Sequence, residues 1–256
     1  MKILITGNEG FIGSHLHKLI PEADGLDLKS GQDIRTCKLD KEYTHVFHLA
    51  ALRKPVEAEE IPEAYISTNC FGTVRLLKRY PNARFLNVTS ASAEHVVGVY
   101  GSTKKFAELV GALHLNSVNV RPYNIFGEGQ EHESNTAIPN FINCLLTGNR
   151  PILYGDGDYV RDFTYVGDLV IELKRLMFSN ETGLRHAGYS RHTTVKEILK
   201  QIYGGVMPDI DWKPARLTDY RISVSPYAID ESIGRNEGLK RTVDWWKKKY
   251  EMRNLP

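Results

Sequence analysis

The chain has 256 residues, of which 41% are hydrophobic and 25% are charged, as in ordinary globular proteins. Its net charge of +2 gives no strong basic field, which argues against nucleic acid as a principal partner, and no apolar run approaches the length that spans a membrane. Three widely spaced cysteines without a C-x-x-C pair, and nine histidines without an H-x-x-x-H pair, predict a reducing cytoplasmic compartment and no metal site.

Short apolar segments alternate with helical patterns over the first half of the chain. The apolar segments are bounded by turn-forming residues and are typical of strands at 2–6, 23–28, 44–51, 83–90 and 117–122. Helical patterns lie between them at 11–19, 61–80 and 102–115. Strands separated by helices predict right-handed βαβ units and a doubly wound parallel sheet, the α/β Rossmann class.

The character of the sequence changes after Pro122. Glycine and proline become frequent and the periodic segments shorten, which predicts a smaller C-terminal lobe. We expect this lobe to lie within 123–256, built mainly from 123–165 and 180–256. The helical pattern at 165–180 is expected to return to the sheet domain of residues 1–122.

Three glycines follow the first predicted strand in "ITGNEGFIGSHL". Gly7 permits a tight turn, Gly10 lets the backbone approach a pyrophosphate, and Gly13 allows the following helix to pack closely on the strand. The N-terminus of that helix suits the phosphate because its N–H groups and dipole attract anions. Spaced glycines alone are weak evidence, since glycine turns between strand and helix are common.

An acidic residue strengthens the interpretation as a dinucleotide site. Asp27 ends the second predicted strand, where a carboxylate can accept hydrogen bonds from an adenosine ribose. A 2′-phosphate would meet charge repulsion there, so the sequence predicts NAD in preference to NADP. The neighbouring Lys29 weakens this preference, and the alternative is that Asp27 is only a loop residue.

Tyr100 and Lys104 stand four positions apart in "YGSTK". On a helix these positions share a face, so both side chains can point into one cleft. A nearby ammonium lowers the pKa of a phenol, which would make the tyrosine a usable base. The Y-x-x-x-K pattern is short and common by itself, and becomes specific in combination with the glycine loop.

At this point the chain resembles the extended short-chain dehydrogenase/reductase family, in particular its nucleotide-sugar epimerases and dehydratases. The resemblance covers nearly the whole chain. It rests on an ordered set of motifs, "TGNEGFIG", "DIR", "HLAA", "NCFGT", "VTSAS", "YGSTK", "VRPYNIFG" and "RDFTYVGDL". The set is specific for the family and much less so for the reaction.

The resemblance implies roles for individual residues of the first domain. Catalysis would fall to Ser90, which hydrogen-bonds the reacting sugar oxygen, Tyr100 as base and Lys104 as its cationic partner. The implied NAD-binding residues are the loop residues Gly7, Gly10, Phe11, Ile12 and Gly13, the ribose ligand Asp27, Asp33 and Ile34 beside the adenine, Leu49, Ala50, Ala51 and Arg53 under the dinucleotide, and Tyr100, Lys104 and Tyr123.

In the C-terminal lobe the resemblance implies a nucleotide-sugar site. Asn124, Arg161 and Arg216 match positions that hold the diphosphate, and Thr136, Ala137 and Tyr154 match the region around the base. The alternatives are that Arg161 pairs with Asp162 or caps the lobe, and that Asn124 only fixes a turn. The match of Arg216 is weaker, because the expected R-x-G-D run reads "RLTD".

The residues after Ser90 bear on the reaction. A 4,6-dehydratase of this family usually carries an acid and a base there, and Ala91 and Ser92 can be neither, so C4 epimerisation of a UDP-hexose is predicted. Only ten positions separate Ser90 from Tyr100. This short spacing resembles the loop of inverting dehydratases of polysaccharide biosynthesis and leaves a dehydratase open.

A 4-keto-sugar reductase and a non-catalytic dinucleotide binder are further alternatives. The family resemblance also suggests a homodimer.

Overall fold

The computed structural model describes residues 1–132, 136–216 and 220–253. Its strands in chain order are β1 (Ile3–Thr6), β2 (Asp24–Leu26), β3 (His45–His48), β4 (Arg84–Val88), β5 (Ser117–Pro122), β6 (Ile152–Tyr154), β7 (Val160–Arg161), β8 (Gly183–Ala187), β9 (Thr193–Thr194), β10 (Asp211–Lys213) and β11 (Ile222–Ser223). Its α-helices are α1 (Phe11–Leu19), α2 (Pro55–Glu60), α3 (Pro62–Tyr65), α4 (Gly72–Arg79), α5 (Ser92–His95), α6 (Gly98–Ala112), α7 (Ala137–Thr147), α8 (Val166–Met177), α9 (Val195–Ile202) and α10 (Arg235–Arg253).

The chain divides into two compact units. The first unit contains Met1–Pro122 and Leu169–Ala187, and the second contains Tyr123–Asp168 and Gly188–Pro256. The segment that returns to the first unit therefore begins four residues later and ends seven residues later than the predicted 165–180. It ends at Ala187 because β8 pairs in parallel with β5, a strand that the sequence did not reveal since "GLRHA" carries two basic residues.

Within the described residues of the first unit, a six-stranded parallel sheet has the order β2-β1-β3-β4-β5-β8. Every residue of β1 and of β4 is buried, as expected for strands covered on both faces. The chain leaves β1 toward β2 on one side and later returns to β3 on the other. Ligands of such sheets bind where the carboxyl ends of the strands meet this change of direction.

Several helix and strand boundaries differ from the prediction. The helix predicted at 61–80 is divided into α3, a π-helical stretch (Ile66–Phe71) and α4, and it follows the separate α2. Pro62 begins α3 because proline lacks an N–H and fits the first helical turn. The helix predicted at 102–115 begins earlier, at Gly98, because tertiary contacts override the low helix propensity of its glycines.

The second unit is built from small sheets and helices. Strand β6 pairs in parallel with β10, and β7 lies between β11 and β9. Helix α9 begins with a reciprocal capping box in which Thr194 and Glu197 each bond the other's backbone N–H. Among the helices that the structure describes, none is both long and apolar enough to cross a bilayer.

Candidate active site

Around the turn after β1, the neighbouring backbone leaves no room for a side chain at two glycines. Gly7 has a φ of +74°, and a Cβ atom there would lie 2.7 Å from the amide nitrogen of Ala50. A Cβ on Gly13 would overlap the carbonyl of Gly7. The N–H of Gly10 donates to that same carbonyl at 3.0 Å, which closes the turn. Both Gly7 and Gly13 are therefore required by the backbone geometry.

Helix α1 begins directly after this turn and leaves its first N–H groups for an anion. Its N-cap residue is Gly10, which has no side chain to cap the helix, and its first turn contains no acidic residue. The predicted ligands Phe11 and Ile12 form that turn. An uncapped N-terminus beside a tight glycine turn fits a dinucleotide pyrophosphate.

Asp27 lies at the carboxyl end of β2 and is only 8% exposed. Its Oδ2 accepts the N–H of Glu9 at 2.9 Å, and its Oδ1 accepts the N–H of Lys29 at 2.9 Å. Each carboxylate oxygen has a further lone pair that can accept a ribose hydroxyl. The ammonium of Lys29 donates to the carbonyl of Glu9 at 2.9 Å, so this cation is held at the glycine turn.

Asp33 and Ile34 are fixed by two arginines. The Asp33 carboxylate accepts the N–H of Arg35 at 2.8 Å and also its guanidinium, which lowers the pKa of Asp33. Ile34 is buried, and its carbonyl accepts Nη1 of Arg75 at 2.7 Å. The pair predicted to lie beside the adenine is therefore held by the protein itself.

The segment after β3 contacts the end of β1. The N–H groups of Leu49 and Ala50 donate to the carbonyl and the hydroxyl of Thr6 at 3.1 and 3.2 Å. Ala51 follows them, and Arg53 is exposed at the end of the segment. This stretch thereby runs beside Gly7, at the same edge of the sheet as Asp27.

Asn69 connects this segment to the helix that carries Tyr100. Its side-chain amide donates to the carbonyl of Leu52 at 3.0 Å and accepts the N–H of Leu52 at 2.8 Å. It also donates at 3.1 Å to the Thr103 hydroxyl, which donates to the carbonyl of Tyr100 at 2.9 Å. Asn69 is not among the residues that the sequence predicts for the site, although it begins the family motif "NCFGT".

His48 holds the ends of β1 and β3 together. Its ring nitrogens lie 2.9 Å from the hydroxyls of Thr6 and Thr73. Burial, with a smaller contribution from Lys104, lowers the pKa of His48 to about 3. The ring is therefore neutral at physiological pH and has both nitrogens engaged, as expected for a structural histidine.

The three predicted catalytic residues lie near the carboxyl end of β4. Lys104 is buried and donates from Nζ to the carbonyl of Val88, the last residue of β4, at 3.2 Å. Ser90 follows two residues later, and its Oγ accepts the N–H of Ser92 at 3.1 Å. Tyr100 is half-buried in the first turn of α6, one turn before Lys104. Burial lowers the pKa of Lys104 to about 8.

A buried ion pair fixes α6 against the sheet. The guanidinium of Arg121 in β5 donates to both carboxylate oxygens of Glu108 at 2.9 and 2.6 Å. Glu108 lies one turn after Lys104 on the same helix face. The bidentate geometry restrains the rotation of α6 about its axis and thereby the direction of Lys104.

In the second unit, the predicted diphosphate ligand Arg161 lies between two aromatic rings. Its guanidinium carbon is 5.5 Å from the ring centre of Tyr159 and 5.3 Å from that of Tyr220. Its Nη1 donates to the carbonyl of Val160 at 2.9 Å. Asp162, the alternative ion-pair partner, is buried and accepts the N–H groups of Tyr189 and Ser190. The two tyrosines that flank Arg161 are not among the predicted site residues.

The structure also brings together two residues that were predicted separately. The guanidinium carbon of Arg216 lies 4.1 Å from the ring centre of Tyr154. The rest of the "RLTD" run, residues 217–219, lies outside the described residues. Asn124 has a φ of +39° in a bend, and its backbone carbonyl accepts the N–H of Thr164 at 3.4 Å.

The remaining predicted residues of the second unit lie at the starts of two segments. Thr136 is the N-cap residue of α7, and Ala137 is its first helical residue. Tyr123 follows β5 and is fully buried. Within the parts of the chain that the structure describes, no three histidine, cysteine or carboxylate side chains are grouped to hold a metal ion.

The chain is similar to proteins of a known family in both sequence and fold. The sequence model of the NAD dependent epimerase/dehydratase family matches residues 3–185. The chain belongs to this family. A provisionally named UDP-glucose 4-epimerase from Methanocaldococcus jannaschii is 28% identical over 96% of this chain and 98% of its own length. A dTDP-glucose 4,6-dehydratase from Mycolicibacterium smegmatis is also 28% identical, over 96% of this chain and 93% of its own.

A solved structure of similar fold is the UDP-glucose 4-epimerase of Thermotoga maritima with UDP-glucose. It has a TM-score of 0.85 and 25% identity, and the match covers 97% of this chain and 99% of that chain. The predictions of family, Rossmann-type α/β fold and NAD dependence are confirmed. Because relatives with the same overall identity carry different reactions, the reaction of this member has to be argued from its site.

Proposed function

We propose that the protein is a nucleotide-sugar epimerase that inverts C4 of a UDP-hexose. The observation that carries this proposal is the segment after Ser90. It keeps the serine near the buried Lys104, but continues with the buried Ala91 and with Ser92, which starts α5. Glu94, further along that helix, is exposed. The first positions after Ser90 therefore supply no acid and base for eliminating water from the sugar.

In the proposed reaction, side chains of the first unit would remove the proton of the sugar 4-hydroxyl and later return it. Tyr100 would take the proton of the sugar 4-hydroxyl, while Ser90 holds the same oxygen by a hydrogen bond. The ammonium of Lys104 favours the phenolate that Tyr100 needs to act as a base. The glycine turn and Asp27 would hold NAD, which would supply reversible hydride transfer at C4. Tyr100 would return its proton to the 4-oxygen when the hydride comes back on the opposite face, so the epimer would form with no net oxidation.

The second unit offers cationic and aromatic groups for the rest of the substrate. We assign Arg161, Arg216 and Asn124 to the diphosphate, since guanidinium groups suit phosphate oxygens. Tyr154, Thr136 and Ala137 are assigned to the surroundings of the base. The contact of Arg216 with Tyr154 supports placing both in one binding region.

A 4,6-dehydratase is the second candidate. Its support is the short connection between Ser90 and Tyr100, which consists of α5 and a turn with Val96 at a φ of +50° and Gly98 at +71°. The relative from Mycolicibacterium smegmatis carries that activity by name. Glu94 is the carboxylate of this connection, and it would have to act as the acid or the base.

Incubation of the purified protein with UDP-glucose, UDP-galactose and their N-acetyl forms, followed by chromatography, tests the proposal. We expect one of these pairs to interconvert without added NAD. A 4-keto-6-deoxy product would favour the dehydratase. If no sugar is converted, but NAD is released on denaturation, the non-catalytic alternative would replace both.

We also propose a homodimer formed through α6. Phe106, Leu109 and Leu113 recur on one face of this helix and are 39%, 58% and 82% exposed, and Phe71, on the adjoining π-helical stretch, is 64% exposed. Contiguous exposed apolar surface usually marks an interface. Light scattering should give twice the chain mass, and Leu109→Glu should reduce it to one.

The three cysteines remain our reason to place the protein in the cytoplasm. Cys37, Cys70 and Cys144 are all free thiols in the structure. Free thiols persist where the medium is reducing. Fractionation of the cells that produce the protein would test this assignment.

A further inference from the structure

The helix that carries Tyr100 begins without a cap of its own. Helix α6 starts at Gly98, and its N-cap residue is Val97, whose side chain cannot accept a hydrogen bond. The first N–H groups of any α-helix have no partner within the helix and need one from elsewhere. In α6 this matters for chemistry because Tyr100 lies in the same first turn.

A carboxylate from α2 supplies the missing partner. Oε1 of Glu59 accepts the N–H of Val99 at 2.7 Å, across forty positions of sequence. A Cβ on Gly98 would collide with that carboxylate, and the φ of +71° there also favours glycine. The backbone is thus shaped to admit Glu59, whose negative charge also suits the positive end of the helix dipole.

Helix α2 is in turn fixed to the segment that is predicted to lie under NAD. It begins at Pro55, directly after that segment. The hydroxyl of the buried Tyr65 accepts the N–H of Lys54 at 2.9 Å and lies 2.8 Å from its carbonyl and 3.0 Å from a carboxylate oxygen of Glu57. These bonds hold the start of α2, so Glu59 extends from a fixed element.

We propose that Glu59 is a positioning residue that fixes the first turn of α6, and with it Tyr100, relative to the cofactor segment. This inference rests on the proposed role of Tyr100 as base. The proposal also explains how α6 can begin so soon after Ser90. With only α5 and a tight turn before α6, the helix start takes its cap from α2 and not from the preceding loop.

The test compares Glu59→Ala with Glu59→Gln in the full-length protein. Alanine removes the acceptor, whereas glutamine keeps Oε1 and should restore the bond. We expect Glu59→Ala to lower kcat roughly tenfold, because small misplacements of a catalytic group are costly, and to leave KM and bound NAD nearly unchanged. Glu59→Gln should stay within about twofold of the wild type, since its amide oxygen is also an acceptor.

Two controls separate positioning from general destabilisation. Glu60→Ala removes the neighbouring exposed carboxylate of α2 and should leave kcat unchanged. Thr194→Ala removes another side-chain acceptor at a helix N-terminus, that of α9 in the second unit. It should lower Tm as much as Glu59→Ala without lowering kcat. An equal loss of kcat in Thr194→Ala, or the same loss in Glu59→Gln as in Glu59→Ala, would overturn the proposal.

Amide hydrogen exchange provides a readout that needs no activity. The N–H groups of Val99 to Gly101 should exchange faster in Glu59→Ala and return to the wild-type rate in Glu59→Gln. If the wild type converts no sugar but shows this exchange pattern, the proposed function fails while the contact of Glu59 with α6 stands. Unchanged exchange in Glu59→Ala would refute the contact itself.

Discussion

The two units hold their candidate functional side chains in different ways. In the first unit, Asp27 and Lys104 are buried and hydrogen-bonded to backbone groups. In the second unit, Arg161 and Arg216 are half-buried and lie against tyrosine rings, and Arg161 also donates to the carbonyl of Val160. A buried side chain bonded to backbone has one position, whereas a half-buried guanidinium over a ring face keeps more freedom. The rigid set, Asp27 and Lys104, suits the proposed cofactor site, and the more adjustable set, Arg161 and Arg216, suits the proposed substrate site.

Replacing Tyr100 by Phe is the most severe test of the first unit, because Lys104 of the rigid set is proposed to act through this tyrosine. We expect kcat to fall roughly 10²- to 10⁴-fold, the usual worth of a general acid–base group, while NAD stays bound. Epimer formation measures the loss of kcat, and the NAD released on denaturation measures the bound cofactor. Tyr43→Phe, which removes a hydroxyl bonded to Asp24 in the same unit, is the control and should retain activity. An active Tyr100→Phe enzyme would remove the base from the proposal.

Gly13→Ala tests whether the glycine turn tolerates any side chain. The added Cβ overlaps the carbonyl of Gly7, so we expect a loss of about 1–3 kcal/mol in the free energy of unfolding and a loss of bound NAD. Gly31→Ala is the matched control, because its Cβ would enter open space and only the positive φ is strained. Equal NAD content in the two variants would show that the turn does not cradle the cofactor.

Arg161→Ala tests the adjustable set. We expect the KM for the nucleotide sugar to rise about tenfold, the value of a charged hydrogen bond, with NAD content unchanged. Arg150→Ala removes an exposed arginine of the same unit that pairs with Asp209, and its KM should not change. A normal KM in Arg161→Ala would move the diphosphate elsewhere in the second unit.

The smallest expected effect is a pH dependence from Lys104. Burial disfavours the ammonium, so its pKa is lowered from 10.5 to about 8. The charged form that supports the Tyr100 phenolate is complete well below this value and is lost as the pH rises through it. We therefore expect kcat to fall by about half near pH 8 while NAD content stays constant. A rate that keeps rising to pH 9 would contradict this role.

The sequence predicted those parts of the site that depend on local backbone geometry. Gly7 and Gly13 are required by a turn of a few residues, and Asp27 follows the next strand. The spacing of these residues along the chain is therefore enough to predict that they lie close together. Tyr100 and Lys104 are predicted from their spacing on one helix face together with the glycine loop, and Ser90 from the family resemblance. The catalytic roles of all three stay predictions.

The contacts that support the site could not be predicted in the same way. Asn69 meets Leu52 across seventeen positions, and Glu59 meets Val99 across forty. Such pairs depend on how helices pack on the sheet, which no local pattern of charges or glycines records. Strand β8 was missed for a similar reason, since its pairing with β5 and not its composition makes it a strand.

The π-helical stretch at Ile66–Phe71 has a consequence for how this part of the chain tolerates change in length. A π-helical turn holds one residue more than an α-helical turn, so deleting one residue here would leave a regular helix from Pro62 to Arg79 that still folds. Because the wide turn already absorbs the extra residue, the helical segments on either side would keep their directions. Residues within the stretch would change direction, and among them is Asn69, whose side chain bonds both Leu52 and Thr103. Deleting one residue there would therefore disturb the site more than the helix.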